Sequence, residues 1–216
     1  MSILAIDAGT TGVRCRAVFI DGQEVVAAYR EFTQHFPRPG WVEHDAEEIW
    51  HVTARTLVDV IERVGSMPAA IGITNQRETV VAWDRASGRP LARAIVWQDR
   101  RTSDFCAQLE SDGVLPLVRS TTGLVLDPYF SATKARWIFT EGAVTPDHSV
   151  ALGTIDSWLV WNLTLGASFV TDHTNAAITG LVEIDGSNWS DHALAALGMI
   201  AGSLLSPTPA KSASVA

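Results

Sequence analysis

The sequence predicts an α/β fold in which a mixed β-sheet is flanked by helices. Residues 1–32 alternate apolar, strand-like runs with short turns, which indicates an antiparallel meander. An amphipathic helical pattern follows at 45–64, and the next apolar run, 70–74, is expected to return as a buried parallel strand. With 216 residues and 47% hydrophobic composition, the chain can bury a substantial core in one or two domains.

Composition argues against several classes of function. The net charge of −8 opposes nucleic acid binding, because the phosphates would repel the chain. No run approaches about 18 apolar residues and no basic signal segment opens the chain, so we expect a cytoplasmic protein without a membrane span. Cys15 and Cys106 are too few for a disulfide scaffold and are expected to be buried. His44 and His51 lack a metal-ligand spacing and are expected to face solvent or cap a helix.

The loop after the first strand has the composition of a phosphate-binding loop. Residues 7–12 read DAGTTG, so Asp7 stands where the apolar run 3–6 ends and its carboxylate could hold a magnesium shell. The glycines permit a tight turn close to an anion, while Thr10, Thr11 and the loop amides offer donors. An ordinary hairpin turn favours the same residue types, and neither a Walker loop nor a dinucleotide fingerprint is present. Both interpretations therefore stay open from this loop alone.

The first half of the chain continues with signals for each element. Strands are predicted at 13–20 and 24–32, joined by a two-residue turn at Asp21 and Gly22. Asp45 and Glu48 predict a capping box at the start of the helix, and Gly65 predicts its end. The core-facing stripe of this helix is expected to comprise Ile49, Thr53, Leu57, Ile61 and Val64.

The second half is predicted to alternate hairpin, helices and loops. A hairpin is expected from 80–83 and 93–97, and a strand at 150–153. Helices are expected at 102–110, near 131–140, at 155–163 with Trp158 and Trp161 in the core, and at 189–197. Residues 124–129 and 171–175 are predicted loops, and 206–216 is a linker-like tail expected to be disordered.

Several stretches, taken together, resemble the FGGY carbohydrate kinases, and most closely the glycerol kinases among them. They read DAGTTG at 7–12, NQRET at 75–79, IVWQDRR at 95–101, DPYFSATK at 127–134, GTIDSWLVWNL at 153–163 and TDHTNA at 171–176. The similarity runs from residue 3 to about residue 205, and the order of elements looks like the actin-like ATPase (ribonuclease H-like) fold. This resemblance implies a transferase of carbohydrate metabolism that uses ATP and Mg²⁺.

The resemblance implies a phosphate and magnesium set at the first loop. Asp7 would hold the magnesium shell, and Thr10, Thr11 and Arg14 would meet the ATP phosphates. Arg14 could instead be an exposed charge on an edge strand. Ala8 and Gly12 depart from the glutamine and serine typical of glycerol kinases, and Ala177 stands where the family usually has serine.

The resemblance also implies a polyol set that follows a strand end, where open α/β sheets place their ligands. Arg77 would donate to polyol hydroxyls, Glu78 would accept from them, Trp97 would pack on the carbon skeleton and Tyr129 would contribute a hydroxyl. Arg77 and Glu78 could instead form a surface ion pair, and Trp97 could be a core residue.

The expected domain organisation is an FGGY N-terminal domain at 1–205 and the tail at 206–216. The family carries its catalytic aspartate and most of its adenosine pocket on a C-terminal ATP-binding domain that lies beyond this chain, so we expect no catalytic base within 1–216. The predicted function is the substrate-binding half of an ATP-dependent polyol kinase, inactive alone, with a C-terminal kinase domain as a possible second chain. The alternatives are a non-catalytic sugar-binding or regulatory module, a decayed kinase fragment and an actin-like assembly protein.

Overall fold

The computed structural model describes residues 1–19, 21, 26–186, 188–199 and 208–210, and these fall into two compact units. The first unit takes its residues from 1–34 and 44–76, and the second from 35–43 and 77–213. The described strands are β1 (Ser2–Ala8), β2 (Gly12–Phe19), β3 (Val26–Glu31), β4 (Gln34–His35), β5 (Glu43–His44), β6 (Ala70–Asn75), β7 (Val80–Asp84), β8 (Ala94–Ile95), β9 (Val150–Thr154), β10 (Val170–Asp172) and β11 (Thr208–Ala210). The described helices are α1 (Ala46–Val64), α2 (Ser103–Ser111), α3 (Leu115–Thr122), α4 (Ser131–Thr140), α5 (Ile155–Leu163), α6 (His173–Ala177) and α7 (Asp191–Ala196).

The first unit is built on a four-stranded mixed sheet with the order β3-β2-β1-β6. β1 and β2 pair antiparallel, as do β2 and β3, which is the predicted meander, and β6 runs parallel to β1. Gly22 of the predicted two-residue turn lies outside the described residues. Leu4, Ile6, Val13 and Cys15 are buried on one face, where α1 packs over the sheet.

The structure corrects the expected burial of β6. Its residues are exposed or half-exposed, and Ile71 keeps 37% of its surface accessible. The reason is position, because β6 stands at the end of the strand order and α1 packs chiefly over β2 and β3. The sequence of an apolar run of this length does not distinguish a central strand from an edge strand.

Helix α1 begins and ends where its caps predict. The Asp45 side chain accepts from the amides of Glu47 and Glu48, and Gly65 takes the left-handed conformation with φ of 71°. The second half of the expected capping box differs, since the Glu48 carboxylate accepts from both the amide and the hydroxyl of Thr33. These two hydrogen bonds connect the first turn of α1 to the segment that follows the meander.

The buried stripe of α1 also shifts near its end. Ile49, Thr53 and Leu57 are buried as expected, whereas the last buried residue is Val60, and Ile61 and Val64 are only half-buried. In a helix of 3.6 residues per turn, positions spaced four apart rotate gradually away from the sheet. Val60 therefore takes the core position in place of Ile61.

The second unit contains β7, β8 and β9 of a sheet with the order β4-β5-β8-β7-β9, and β7 pairs antiparallel with both β8 and β9. Its core brings together side chains from these strands and from the surrounding helices, among them Val80, Ile95, Ile138 and Leu152. A separate cluster of aromatic side chains centres on Trp83, whose ring lies 5.3 Å from that of Trp158 and 5.9 Å from that of Trp161. Trp158 is buried as expected, and Trp161 is half-buried.

Most elements of this unit match their predicted positions, with three differences. Helix α3 was not indicated by the sequence pattern, although Pro116 stands in its first turn, where proline is favoured. The predicted polar loop at 171–175 is wrong, because Asp172 ends β10 and caps α6 by accepting from the amides of Thr174 and Asn175. Part of the predicted tail, β11, pairs in parallel with β10, and the tail's other residues lie outside those described.

None of the helices in the described part of the chain combines the length and the hydropathy that a membrane span requires. Cys15 and Cys106 are free and buried, as expected.

Candidate functional site

The predicted phosphate set lies together in the first unit. β1 and β2 pair in a register that puts Asp7 opposite Arg14, and both side chains lie on the exposed face of the sheet. The loop between the strands closes with the Gly9 amide donating to the Gly12 carbonyl at 3.0 Å, so this amide is used within the turn. Thr10 is half-buried and Thr11 is exposed at the tip. A carboxylate, a guanidinium and two hydroxyls therefore share one end of the sheet.

Arg14 does not lie on an edge strand. β2 is central in the sheet, between β1 and β3, and the Arg14 guanidinium stands 5.5 Å from the centre of the Tyr29 ring on β3. The Tyr29 hydroxyl lies 3.5 Å from that of Thr11. Arg14 is nevertheless exposed, so its charge is directed to solvent beside the loop rather than committed to the core.

Glycine is required at position 12. A Cβ built there would lie 2.5 Å from the Arg30 carbonyl oxygen and 2.7 Å from the Tyr29 hydroxyl. The serine that glycerol kinases typically carry would need the neighbouring strand to shift. In this chain the glycine at position 12 therefore allows β3 to pack directly against the loop.

Asp7 fits a magnesium ion that is carried by a nucleotide. Among the described residues there is no group of three or more histidines, cysteines or carboxylates that could hold a metal on their own. Mg²⁺ in nucleotide sites takes one or two carboxylates, phosphate oxygens and several waters. One exposed carboxylate beside two hydroxyls meets that requirement without a protein-only cage.

The predicted polyol set lies in the second unit and centres on Glu78. This residue is fully buried and takes a left-handed backbone with φ of 66°, which is uncommon for a residue with a side chain. Its Oε2 accepts from the Ser131 amide at 2.5 Å and from the Ser131 hydroxyl at 3.0 Å. Its Oε1 is buried and has no hydrogen-bond partner among the residues that the structure describes. Full burial excludes the alternative of a surface ion pair with Arg77.

Lys134 is a buried charged residue within one of the motifs that carry the resemblance, and no role for it was predicted from the sequence. It is fully buried, and its ammonium donates to three consecutive carbonyls, those of Pro128 at 2.9 Å, Tyr129 at 2.5 Å and Phe130 at 2.8 Å. The signal available in the sequence was its helical spacing, because Lys134 lies four residues after Phe130 and four before Ile138, on the apolar side of the helix. Lys134 fixes the segment that carries Tyr129.

Burial dominates the titration of both charged residues. Burial raises the pKa of Glu78 to about 8, against the lowering effects of the Lys134 charge, the two Ser131 hydrogen bonds and the Arg77 charge. Burial lowers the pKa of Lys134 to about 8, and the Glu78 charge opposes this shift. The two residues thus stabilise each other's charged forms in a site that disfavours charge.

The aromatic members of the set lie beside each other. The rings of Trp97 and Tyr129 are 5.9 Å apart at 70°, and Tyr129 also packs edge-on against Phe130 at 5.3 Å. Both Trp97 and Tyr129 are half-buried, so Trp97 is not a closed core residue. Arg77 is exposed next to Glu78 and is close enough to lower its pKa.

The motif around Trp97 is held by a buried ion pair. The Asp99 carboxylate accepts from the Val42 amide at 2.7 Å and from the Arg101 guanidinium at 2.8 and 2.9 Å. That guanidinium lies 3.8 Å from the ring of Trp41 and 4.6 Å from that of Trp137. Asp99 and Arg101 therefore fix the loop, which leaves Trp97 as its candidate ligand-binding residue.

The raised pKa of Glu78 predicts a pH effect on stability. Because the folded pKa of about 8 exceeds the ordinary value, the folded chain holds a proton that the unfolded chain releases above about pH 4.5. Wild-type stability should therefore fall, relative to Glu78→Gln, by up to about 1.4 kcal/mol per pH unit from pH 5 to 7. Urea unfolding across this range measures the difference, with the exposed Glu141→Gln as control. Parallel profiles for wild type and Glu78→Gln would contradict the assignment.

Known proteins share both the sequence and the fold of this chain. Residues 2–214 match the FGGY family of carbohydrate kinases, N-terminal domain. The chain is 52% identical over 202 residues to a glycerol kinase of Paraburkholderia phytofirmans, covering 90% of this chain and 40% of the relative. It is 49% identical over 199 residues to a glycerol kinase of Lactobacillus acidophilus, covering 89% of this chain and 40% of the relative. The chain thus spans 40% of the length of these relatives.

Solved structures of carbohydrate kinases share the fold of this chain. The crystal structure of Plasmodium falciparum glycerol kinase with ADP matches with a TM-score of 0.87 at 30% identity, covering 94% of this chain and 42% of that one. A ligand-bound xylulose kinase of Lactobacillus acidophilus shares the fold, with a TM-score of 0.85 at 21% identity over 97% of this chain and 42% of that one. The predicted fold class is confirmed, and the chain belongs to the FGGY family of carbohydrate kinases, as an α/β domain of the actin-like type that forms the N-terminal part of these enzymes.

Proposed function

We propose that this chain is the substrate-binding part of an ATP-dependent polyol kinase, with glycerol as the polyol. One observation carries the proposal: Oε1 of Glu78 is fully buried and has no partner within the described part of the chain, on a residue held in a left-handed backbone. Leaving a buried acceptor unsatisfied costs about 1–3 kcal/mol. A ligand hydroxyl that donates to Oε1 removes this cost and favours the ionised carboxylate.

The chemistry around Glu78 suits a short polyol. Glu78 accepts from one hydroxyl, and the exposed Arg77 donates to others. Trp97 offers an apolar ring to the carbon skeleton, and Tyr129 offers a hydroxyl and a ring edge. Acceptor, cation and aromatic surfaces together match a molecule that carries a hydroxyl on each carbon.

In this proposal the first unit meets the nucleotide. ATP would supply the phosphoryl group and Mg²⁺ would neutralise the developing charge during transfer. Asp7 would hold the water shell of the magnesium ion, and Thr10, Thr11 and Arg14 would contact phosphate oxygens. Dependence on ATP also favours a cytoplasmic location.

The proposed enzyme needs a second domain. The relatives are more than twice as long as the matched region, which is 40% of their length. The proton acceptor for the substrate hydroxyl and the adenosine contacts are proposed to lie on that domain, in the same chain or in a partner. The two carboxylates of the candidate site have other roles, since Asp7 serves magnesium and Glu78 serves the polyol.

Titration with glycerol tests the proposal. We expect weak binding to the isolated chain by ligand-observed NMR, and a loss of affinity in Arg77→Ala of about 1.5–3 kcal/mol, because a charged hydrogen-bond donor is removed. Arg55→Ala, which removes an exposed arginine from α1, should bind as the wild type does. Clear binding of xylitol or gluconate without binding of glycerol would contradict the substrate assignment.

A further inference from the structure

A histidine expected at the surface lies instead beneath the candidate phosphate loop. His44 is fully buried, whereas His51 is exposed as expected. Its ring is enclosed by Gln34, Gln76 and the edge-on ring of Phe32 at 5.0 Å. The expected exposure of His44 is wrong because the two-residue strand that carries it turns its side chain inward.

Two backbone carbonyls of the loop fix the orientation of both glutamine amides. Nε2 of Gln34 donates to the Thr10 carbonyl at 2.8 Å, and Nε2 of Gln76 donates to the Gly9 carbonyl at 3.1 Å. A carbonyl oxygen only accepts, so each amide must present its nitrogen to the loop. The Gln76 amide donates in addition to Nδ1 of His44 at 3.2 Å, and the Gln34 amide turns its Oε1 toward Nε2 of His44 at 2.7 Å.

These orientations determine the protonation of the ring. Nε2 faces an acceptor and must carry a proton, while Nδ1 faces a donor and must offer its lone pair. Only the neutral, Nε2-protonated tautomer satisfies both contacts. In the opposite tautomer both contacts would fail unless both amides rotated, and each rotation would place an amide oxygen against a loop carbonyl oxygen.

We propose that His44, acting through Gln34 and Gln76, is a positioning residue that sets the conformation of the Gly9–Thr10 turn for binding nucleotide phosphate. The inference deepens the proposed function, because it concerns the loop to which that proposal assigns the phosphate oxygens. His44 would touch neither phosphate nor magnesium. Through the two glutamines it fixes the Gly9 and Thr10 carbonyls, and thereby the amides and hydroxyls that follow them.

The tautomer is tested in the wild-type chain without any ligand. A long-range ¹H–¹⁵N spectrum of the histidine side chains distinguishes the two nitrogens, and we expect His44 to show a protonated Nε2 and an unprotonated Nδ1. The reversed tautomer would overturn the inference. This result stands whether or not the variants fold.

Matched variants then test the positioning. His44→Asn retains an acceptor near Nδ1 for Gln76, His44→Gln retains a donor near Nε2 for Gln34, and His44→Phe retains neither. We expect the amide resonances of Gly9 and Thr10 to move in all three variants, with the largest change in His44→Phe. Unchanged loop resonances in a folded His44→Phe chain would overturn the inference.

MgATP is the probe for function, titrated at millimolar concentration while the loop amides are followed. We expect His44→Phe to weaken its binding at least tenfold and the two amide variants to recover part of the loss, at temperatures where urea curves show all four chains folded. Equal affinity in wild type and His44→Phe would overturn the positioning role. If MgATP binds to none of the chains, the nucleotide proposal fails, and the tautomer and loop resonances still decide whether His44 sets the turn.

Discussion

Purified chain 1–216, given MgATP and glycerol, is expected to produce no glycerol phosphate above assay background. General-base catalysis is typically worth about 10²–10⁴-fold, and the proposed proton acceptor is not among these residues. The second domain proposed above would also close over the reactants and exclude water, and residues 1–216 without it should lose that further contribution to rate. The two losses act on the same step, so the combined deficit should exceed either one.

Fusing the remainder of the Paraburkholderia phytofirmans glycerol kinase to residue 216 is the matched gain-of-function measurement. Coupled-enzyme turnover should appear in the fusion and disappear in its Glu78→Gln variant. Turnover by the mass-verified chain alone that is lost in Glu78→Gln would show that the catalytic base lies within these residues. Glycerol binding without turnover in any fusion would favour a sugar-binding module.

Lys134→Met is expected to be strongly destabilising, more so than any of the substitutions proposed above. It leaves three buried carbonyls without their shared donor and removes the charge that offsets the burial of Glu78. Leaving a buried acceptor unsatisfied typically costs about 1–3 kcal/mol, and three carbonyls lose their donor here, so we expect a cost of about 3–5 kcal/mol. The free energy of unfolding, from urea titration followed by tryptophan fluorescence, should fall by about that amount.

Arg119→Met supplies the control for this change, since it removes an exposed cation on α3 and should alter stability by less than about 0.5 kcal/mol. A Lys134→Met chain as stable as the control would mean that the three carbonyls find water or other donors, and that Lys134 does not fix the segment with Tyr129.

Elements with strong local signals were predictable from the sequence. α1 was predictable from its two caps. The Asp45 side chain caps the first turn, and Gly65, which lacks a side chain, takes the left-handed conformation that ends the helix. α5 followed from its continuous apolar pattern. α6 was missed because Asp172 begins a polar run typical of loops, and its capping role depends on five residues that form little more than one turn.

Burial was harder to predict than secondary structure. The residues of β6 have the apolar pattern of a buried strand, and that pattern does not indicate that β6 lies at the end of the sheet order. His44 reads as a surface residue because nothing local shows that Gln34 and Gln76, 10 and 32 residues away, complete its hydrogen bonds. Both depend on long-range neighbours, which a single sequence does not specify.

The candidate site was predictable as a set of residues but not as an environment. The family motifs pointed to Glu78, whereas its burial, its left-handed backbone and an oxygen without a partner among the described residues emerge only from the structure. Lys134 stood in a family motif without a predicted role, because three carbonyls converging on one ammonium follow from the turn that precedes α4. Such convergence has no counterpart in residue spacing.

Mapping glycerol onto the chain by amide and indole chemical-shift perturbation tests the proposed polyol site most directly. The Ser131 amide reports on Glu78, since it donates to Oε2 at 2.5 Å, and the Trp97 indole and Tyr129 amide report on the aromatic side of the site. We expect saturating glycerol to shift these three resonances most, and Glu78→Gln to reduce the shifts sharply. Shifts concentrated elsewhere, or shifts of the same size in Glu78→Gln, would contradict a polyol site centred on Glu78.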